Sequence, residues 1–176
     1  MRKYRKLLFM RGEIKDAMRE IIFPGSFDPA HAGHFNTYQN ACNLLGEEIT
    51  VCICINEFKG SGLFNIQERL LIAKSQFPNA KIGLYERFED VSKLLHNCKK
   101  IVRGTQNIKD KQESLILMSN YGNICEKLLF IPIDKKFENI SSTSIKNMLN
   151  NDSYLRNSLS SVGYEFLCNR RDSGNI

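Results

Sequence analysis

Between Glu20 and Leu45 the chain passes from a short apolar run through a turn full of breakers into a helical pattern, and few folds accommodate that succession. Glu20-Ile-Ile-Phe23 reads as a strand, Pro24-Gly25 and Asp28-Pro29 break it, and from His34 apolar side chains recur at Phe35, Tyr38, Ala41, Cys42 and Leu45 on one side of a helix. The turn holds His31, Gly33 and His34, and thus two of the chain's three histidines. A helix N-terminus presents free N–H groups and a partial positive charge, which favour phosphate. Gly33 lets backbone approach a ligand closely, and the two imidazoles supply donors for phosphate oxygens. A lone turn histidine is ordinarily a surface residue; two within one glycine-bearing turn point to a site.

The alternation continues to the far end. Ile49-Thr-Val-Cys-Ile-Cys-Ile55 is a continuous apolar run of the kind buried on both faces of a parallel sheet. Asn65 with Glu68 forms a capping box ahead of a helix over Ile66–Gln76. Lys81–Tyr85, Lys100–Val102 and Lys127–Ile133 read as three more strands, separated by helices near Asp90–Asn97 and Gln112–Asn120. Such βαβα alternation predicts one α/β domain built on a doubly wound, five-stranded parallel sheet, with ligands at the carboxyl ends of its strands. A chain of 176 residues suffices for one core. The expected division is a basic arm over residues 1–17, the domain over 18–170 and a tail over 171–176.

Lys and Arg outnumber Asp and Glu by 25 to 19, but residues 1–20 carry seven of the basic and three of the acidic ones, leaving 18 against 16. No later stretch interleaves basic with aromatic residues, so nucleic acid is not an expected partner. The six cysteines form no CxxC pair and have no histidine at zinc spacing; they fit free thiols in a reducing cytoplasm. Cys52 and Cys54 in their apolar run read as small hydrophobes. No run reaches the ~18 apolar residues of a membrane span, and the apolar stretch after Lys6 is short and lacks a cleavage site. Neither membrane anchorage nor export is expected.

Three further groups fall at strand ends. Lys59 follows the second strand ahead of a Gly/Ser loop, where an ammonium can bridge two phosphates as a point charge. Arg103 closes the fourth strand directly before Gly104, and its fork suits phosphate oxygens. Ser141, Ser142 and Thr143 cap the helix running through Leu149, a role compatible with holding phosphates opposite His34.

Gly25-Ser-Phe-Asp-Pro29 followed by His31-Ala-Gly-His34 resembles the tandem motifs of the HxGH-type nucleotidyltransferases. That resemblance implies a Rossmann-like fold and transfer of a nucleotidyl group from an NTP to a phosphate-bearing acceptor, with release of pyrophosphate. Over residues 20–167 the chain is similar within that group to the phosphopantetheine adenylyltransferases. The likeness rests on Pro24–Pro29, Ile55-Asn56 with Lys59, Phe64 before Glu68-Arg69, Val102-Arg-Gly104 and Ile140–Thr143. It implies ATP and 4′-phosphopantetheine as substrates, Mg²⁺ with the ATP, and a homohexamer. By it, His34, Lys59 and Arg103 are catalytic. Ser26, Phe27, His31, His34, Gly104, Gln106, Glu113, Phe137, Ser141, Ser142 and Thr143 line ATP, while Ser26, Lys59, Arg103 and Asn120 hold the acceptor.

There are departures from that family. Arg103-Gly-Thr-Gln106 stands where Arg-Gly-Leu-Arg is usual, so a charge-assisted contact worth ~1.5–3 kcal/mol becomes an amide, with Lys109 or Lys111 as candidate substitutes. A loop one residue shorter than usual places Glu113 at the adenine-side glutamate and Asn120 at the acceptor-side asparagine, with their usual separation of seven. His31 replaces a common threonine and matches the nicotinate and nicotinamide mononucleotide adenylyltransferases, whose ISSTxIR motif is similar to Ile140–Lys146. A pyridine mononucleotide acceptor and a non-catalytic nucleotide-binding relative are therefore the alternatives. No activated nucleophile with an adjacent base occurs at the motif, so the expected chemistry is direct in-line attack by the acceptor phosphate, with His34 donating to an α-phosphate oxygen.

Overall fold

The computed structural model describes residues 20–55 and 62–174; the basic arm, Asn56 and Lys59 lie outside the described residues. Five strands, β1 (Ile21–Gly25), β2 (Ile49–Cys54), β3 (Ile82–Tyr85), β4 (Lys100–Thr105) and β5 (Leu128–Pro132), stand in the order β3-β2-β1-β4-β5, every pair parallel. The chain starts at the centre, winds out to one edge, returns past β1 and winds out to the other. This is the expected doubly wound, Rossmann-like sheet. The connections are α1 (Ala32–Leu45), α2 (Ile66–Gln76), α3 (Phe88–Asn97) and α4 (Ile108–Ser119), and the chain closes with α5 (Ser142–Asn147), α6 (Asp152–Ser158) and α7 (Ser161–Asp172).

Period-two alternation sends neighbouring strand residues to opposite faces. Ile21, Phe23, Val51, Ile53, Val102 and Ile131 join one core with Ala41 of α1, Ile72 of α2, Leu155 of α6 and Leu167 of α7. Ile22, Cys52 and Ile101 join the other with Leu94 and Leu95 of α3 and Met118 of α4. β2 is buried on both faces, as its unbroken apolar run predicts.

The boundaries shift where tertiary partners override local signals. β1 continues through Pro24 and Gly25 instead of breaking there, because its ladder with β2 runs on to Gly25. β4 extends past Val102 to Thr105, so Arg103 and Gly104 sit inside the strand opposite Phe130 and Ile131. α1 starts at Ala32 because the His31 side chain is its cap, and α4 starts at Ile108 because Asn107 caps it. α5 ends at Asn147, short of Leu149. α6 and α7 have no counterpart in the sequence reading. α6 is too short for periodicity to register, and α7 buries only Gly163 and Leu167.

Candidate active site

β1 and β4 pair only at Ile21–Lys100 and Ile22–Ile101, whereas β1 stays with β2 to Gly25. Beyond Ile22 the sheet therefore opens between β1 and β4, where the winding reverses and where such folds bind ligands. Arg103 spans the opening: Nη1 donates to Pro24 O at 3.2 Å and Nε to Ser114 Oγ at 3.4 Å. Among the described residues no carboxylate forms an ion pair with it. Burial pulls its pKa down, yet a guanidinium stays protonated, so this cation lacks a counter-charge and favours an anion beside it.

Two cavities meet at this arginine. The larger, about 310 Å³, is walled by Phe27, His31 and His34, by Arg103, Gly104 and Gln106, and by Ser141 and Ser142. The smaller, about 130 Å³, lies on the far side of Pro24 and Gly25 and is lined by Ser26, Cys54, Leu95, Leu117, Met118 and Tyr121 as well as Arg103.

The histidines are built into the first turn of α1. His31 Nδ1 accepts the His34 N–H at 3.4 Å, so the neutral His31 ring carries its proton on Nε2. The two rings stack with centroids 3.6 Å apart, and the Phe27 ring meets His34 edge-on at 5.0 Å. Burial pushes the His31 pKa down to about 3. His34 is also lowered, first by burial, then by His31 and Arg103. Both are neutral donors at neutral pH. His34 Nδ1 is buried with no hydrogen-bond partner among the described residues, and a site that uses the ring explains keeping an unsatisfied nitrogen there. Phe27 holds a positive φ of 43°, a strained conformation for a side-chain-bearing residue, and its ring is locked between Phe23, His34 and Phe77.

Asp28, read from the sequence only as a breaker, is the hub of the turn. It is 6% exposed, accepts the N–H groups of Leu63 and Phe64 at 2.8 Å each, and pairs with Arg69 at 3.4 Å and Lys146 at 3.0 Å. Arg69 is buried and also donates to Phe64 O and Ser26 O. A Cβ on Gly62 would lie 1.7 Å from the Arg69 guanidinium, so only glycine passes the pair. These long-range contacts leave no periodic trace in the sequence.

The structure brings together His31, His34, Phe27, Arg103, Gly104, Gln106, Ser141 and Ser142, and places Ser26 on the smaller cavity. Ser141 spends its hydroxyl capping Ser144 N, and Ser142 donates to Pro29 O. Gln106 Nε2 donates to Glu138 O at 2.7 Å, tying the β4–α4 turn to the segment after β5. Phe137 and Thr143 line neither cavity. Glu113 and Asn120 line neither cavity and both are exposed, Glu113 pairing with Lys109 along the outside of α4. Also seven apart, one residue further on, Ser114 bonds Arg103 and Tyr121 lines the smaller cavity.

Comparison with known proteins agrees with this geometry. The cytidylyltransferase-like family model matches residues 22–148, from β1 through α5. A phosphopantetheine adenylyltransferase from Streptomyces coelicolor is 31% identical over 140 residues, covering 74% of this chain and 84% of that one. One from Clostridium novyi is 30% identical over 137 residues, covering 75% and 84%. Among solved structures, the Plasmodium falciparum nicotinic acid mononucleotide adenylyltransferase complexed with NaAD superposes with a TM-score of 0.59 at 18% identity, covering 86% of this chain and 95% of that one, a likeness of fold. A match that runs from the first strand to the helix closing the larger cavity takes in every residue lining the two cavities, and on that ground the chain belongs to the cytidylyltransferase-like family and is a nucleotidyltransferase.

Proposed function

We propose that this nucleotidyltransferase moves the adenylyl group of ATP onto 4′-phosphopantetheine, giving dephospho-coenzyme A and pyrophosphate. The observation that carries the reading is Arg103, a half-buried cation without a counter-charge among the described residues, standing where a nucleotide-sized cavity meets a smaller, largely apolar groove. ATP occupies the larger cavity, with its α-phosphate at the N-terminus of α1 beside His34. The acceptor lies in the groove, with its phosphate toward Arg103 and its pantetheine chain among Leu95, Leu117 and Met118. The relatives named phosphopantetheine adenylyltransferase support this acceptor.

The acceptor phosphate attacks the α-phosphorus in line and pyrophosphate departs. His34 donates to an α-phosphate oxygen as charge builds, and Arg103, with Lys59 by family likeness, offsets the repulsion of the reacting phosphates. Among the described residues no three His, Cys, Asp or Glu side chains gather as a metal site, and Asp110, on the cavity wall, accepts the Gln106 N–H. Mg²⁺ enters this proposal with the triphosphate, as MgATP. Family likeness adds assembly as a homohexamer and a cytoplasmic location. No described helix is long and apolar enough to cross a membrane.

A pyridine mononucleotide acceptor is the second reading, favoured by the His31 ring stacked on His34 at the cavity wall. Pyrophosphate release, measured with 4′-phosphopantetheine and with nicotinate and nicotinamide mononucleotides at matched concentrations, separates the two. A higher kcat/KM for 4′-phosphopantetheine is expected; a higher value for either pyridine nucleotide overturns the assignment.

A further inference from the structure

We propose that Asn36 is a positioning residue: with Asp134 it sets the distance between the first turn of α1 and the segment after β5, and so the grip of the larger cavity on the nucleotide triphosphate. The inference rests on the reading that ATP occupies that cavity. His34 and Thr37 of α1 line it on one side and Ile133, Ile140 and Ser141 on the other, whereas Asn36 does not line it. The side chain of Asn36 is buried and its pairing is reciprocal. Asn36 Nδ2 donates to Asp134 Oδ2 at 2.8 Å, and Asn36 Oδ1 accepts the Asp134 N–H at 2.9 Å, so both ends of the amide are used and its orientation is fixed. Asn40, one turn further along α1, donates to Asp134 Oδ1 at 3.1 Å.

Asp134 stands directly before a 3₁₀ turn, Lys135–Phe137, where an aspartate would ordinarily cap the turn it precedes. Its carboxylate makes no such cap and goes to α1 instead. Backbone bonds carry the anchor on to the cavity wall: the Phe137 N–H donates to Asp134 O at 2.8 Å, and the Ile140 N–H to Phe137 O at 3.0 Å. Ile140 in turn stands close to the start of α1, since a Cβ on Gly33 would lie 3.3 Å from Ile140 O. Gln106 holds the same segment at Glu138 O from the β4 side. Loss of the Asn36 bonds therefore frees Ile140 and Ser141 to shift against His34, across the space that grips the triphosphate. A misplacement of about 1 Å costs on the order of 10²-fold where reacting groups must align. The smaller cavity, which none of these residues lines, stays as it is.

The test uses the full chain, its Asn36→Ala, Asn36→Asp and Asp134→Asn variants, and the double variant Asn36→Asp with Asp134→Asn. The readouts are the Kd of MgATP by calorimetry, KM for ATP and for the acceptor, and melting temperature. Asn36→Ala removes both bonds, and Asn36→Asp sets two carboxylates against each other. In each, the Kd and KM for ATP are expected to rise about tenfold while the acceptor KM stays within about twofold of the parent. Asp134→Asn alone keeps an acceptor for Asn36 Nδ2 and should change ATP binding by less than about threefold. In the double variant the exchanged carboxylate and amide can make the same two bonds, so ATP binding should return to within about threefold of the parent. A lower melting temperature in Asn36→Ala with unchanged ATP binding overturns the inference and marks a merely structural role. So does an equal rise in both KM values, a double variant that binds ATP no better than Asn36→Asp, or the failure of both single Asn36 variants to fold. Failure of the proposed function reads differently. Turnover with a pyridine mononucleotide alone overturns that acceptor and leaves the ATP effect in place. If no acceptor turns over, the Kd of MgATP decides, and a parent that binds no MgATP overturns the inference.

Discussion

The two motif imidazoles are neutral because the fold buries them, and that state has consequences for chemistry and for stability. A neutral ring with an N–H donor can follow charge onto an α-phosphate oxygen without first having to lose a proton. His34→Ala should lower kcat by roughly 10²–10³ while ATP binding changes little, since the contact strengthens only as charge develops. Single-turnover kinetics and ATP titration separate the two effects, and a near-normal kcat would remove His34 from the role. For stability, His31 keeps its proton off down to about pH 3, whereas the unfolded chain takes one up near the ordinary value of 6.5. The unfolded state therefore gains protons first as pH falls. Stability is at its full value above about pH 6.5 and declines toward pH 3, with a loss at pH 5 of about 2 kcal/mol from His31 alone. Denaturant unfolding at pH 7.5 and pH 5 measures it. In His31→Asn, which retains a helix cap, the difference should shrink; an undiminished difference would place its origin elsewhere.

Among the elements, α1 and β4 are the pair whose approach shapes the larger cavity. Thr37 of α1 donates to Gly33 O at 3.1 Å, and its side chain fills the space above Gly104, where a Cβ would meet Thr37 Oγ1 at 2.6 Å. Gly104→Ala should destabilise the protein by about 1–3 kcal/mol, the usual range for overpacking. Adding Thr37→Ala removes the clashing atoms and should recover most of that loss. Urea unfolding of both single variants and the double variant gives the coupling, and strictly additive effects would show that the two residues do not meet. The same scale shows why element type was readable and element ends were not. The apolar run of β2 and the capping box of α2 are local signals, and both appear as expected. The extension of β1 through Pro24 depends on a ladder to β2, and the start of α4 on Asn107 reaching Asp110 N. Periodicity responds to neither.

Across the whole molecule the site stands where one sheet reverses its winding, and later helices brace it from outside the family match. Tyr154 of α6 donates to Asn139 O at 2.8 Å and bonds Ser144 Oγ at 2.6 Å, holding the segment that carries Ser141. Arg170 of α7 pairs with Glu68 at 2.6 Å and lies over the Phe64 ring, holding the start of α2. β1 begins at Ile21, so a chain starting at Met18 should match the full chain in melting temperature and kcat, and an insoluble or inactive product would show that the basic arm packs on the domain. The sequence by itself determined the alternation of strands and helices, the doubly wound sheet and the glycine-bearing turn that carries His31 and His34. Each of these is written in residues a few positions apart, as periodicity, breakers and caps. Only the tertiary structure decided that Asp28 joins the turn to Leu63, Arg69 and Lys146, that Gln106 bridges to Glu138, and that Ser114 meets Arg103 while Tyr121 lines the smaller cavity. Those facts depend on contacts between distant segments and on the rotation of one helix. A shift of one residue turns a helical side chain by about 100°, which exchanges a groove wall for solvent without altering the local pattern.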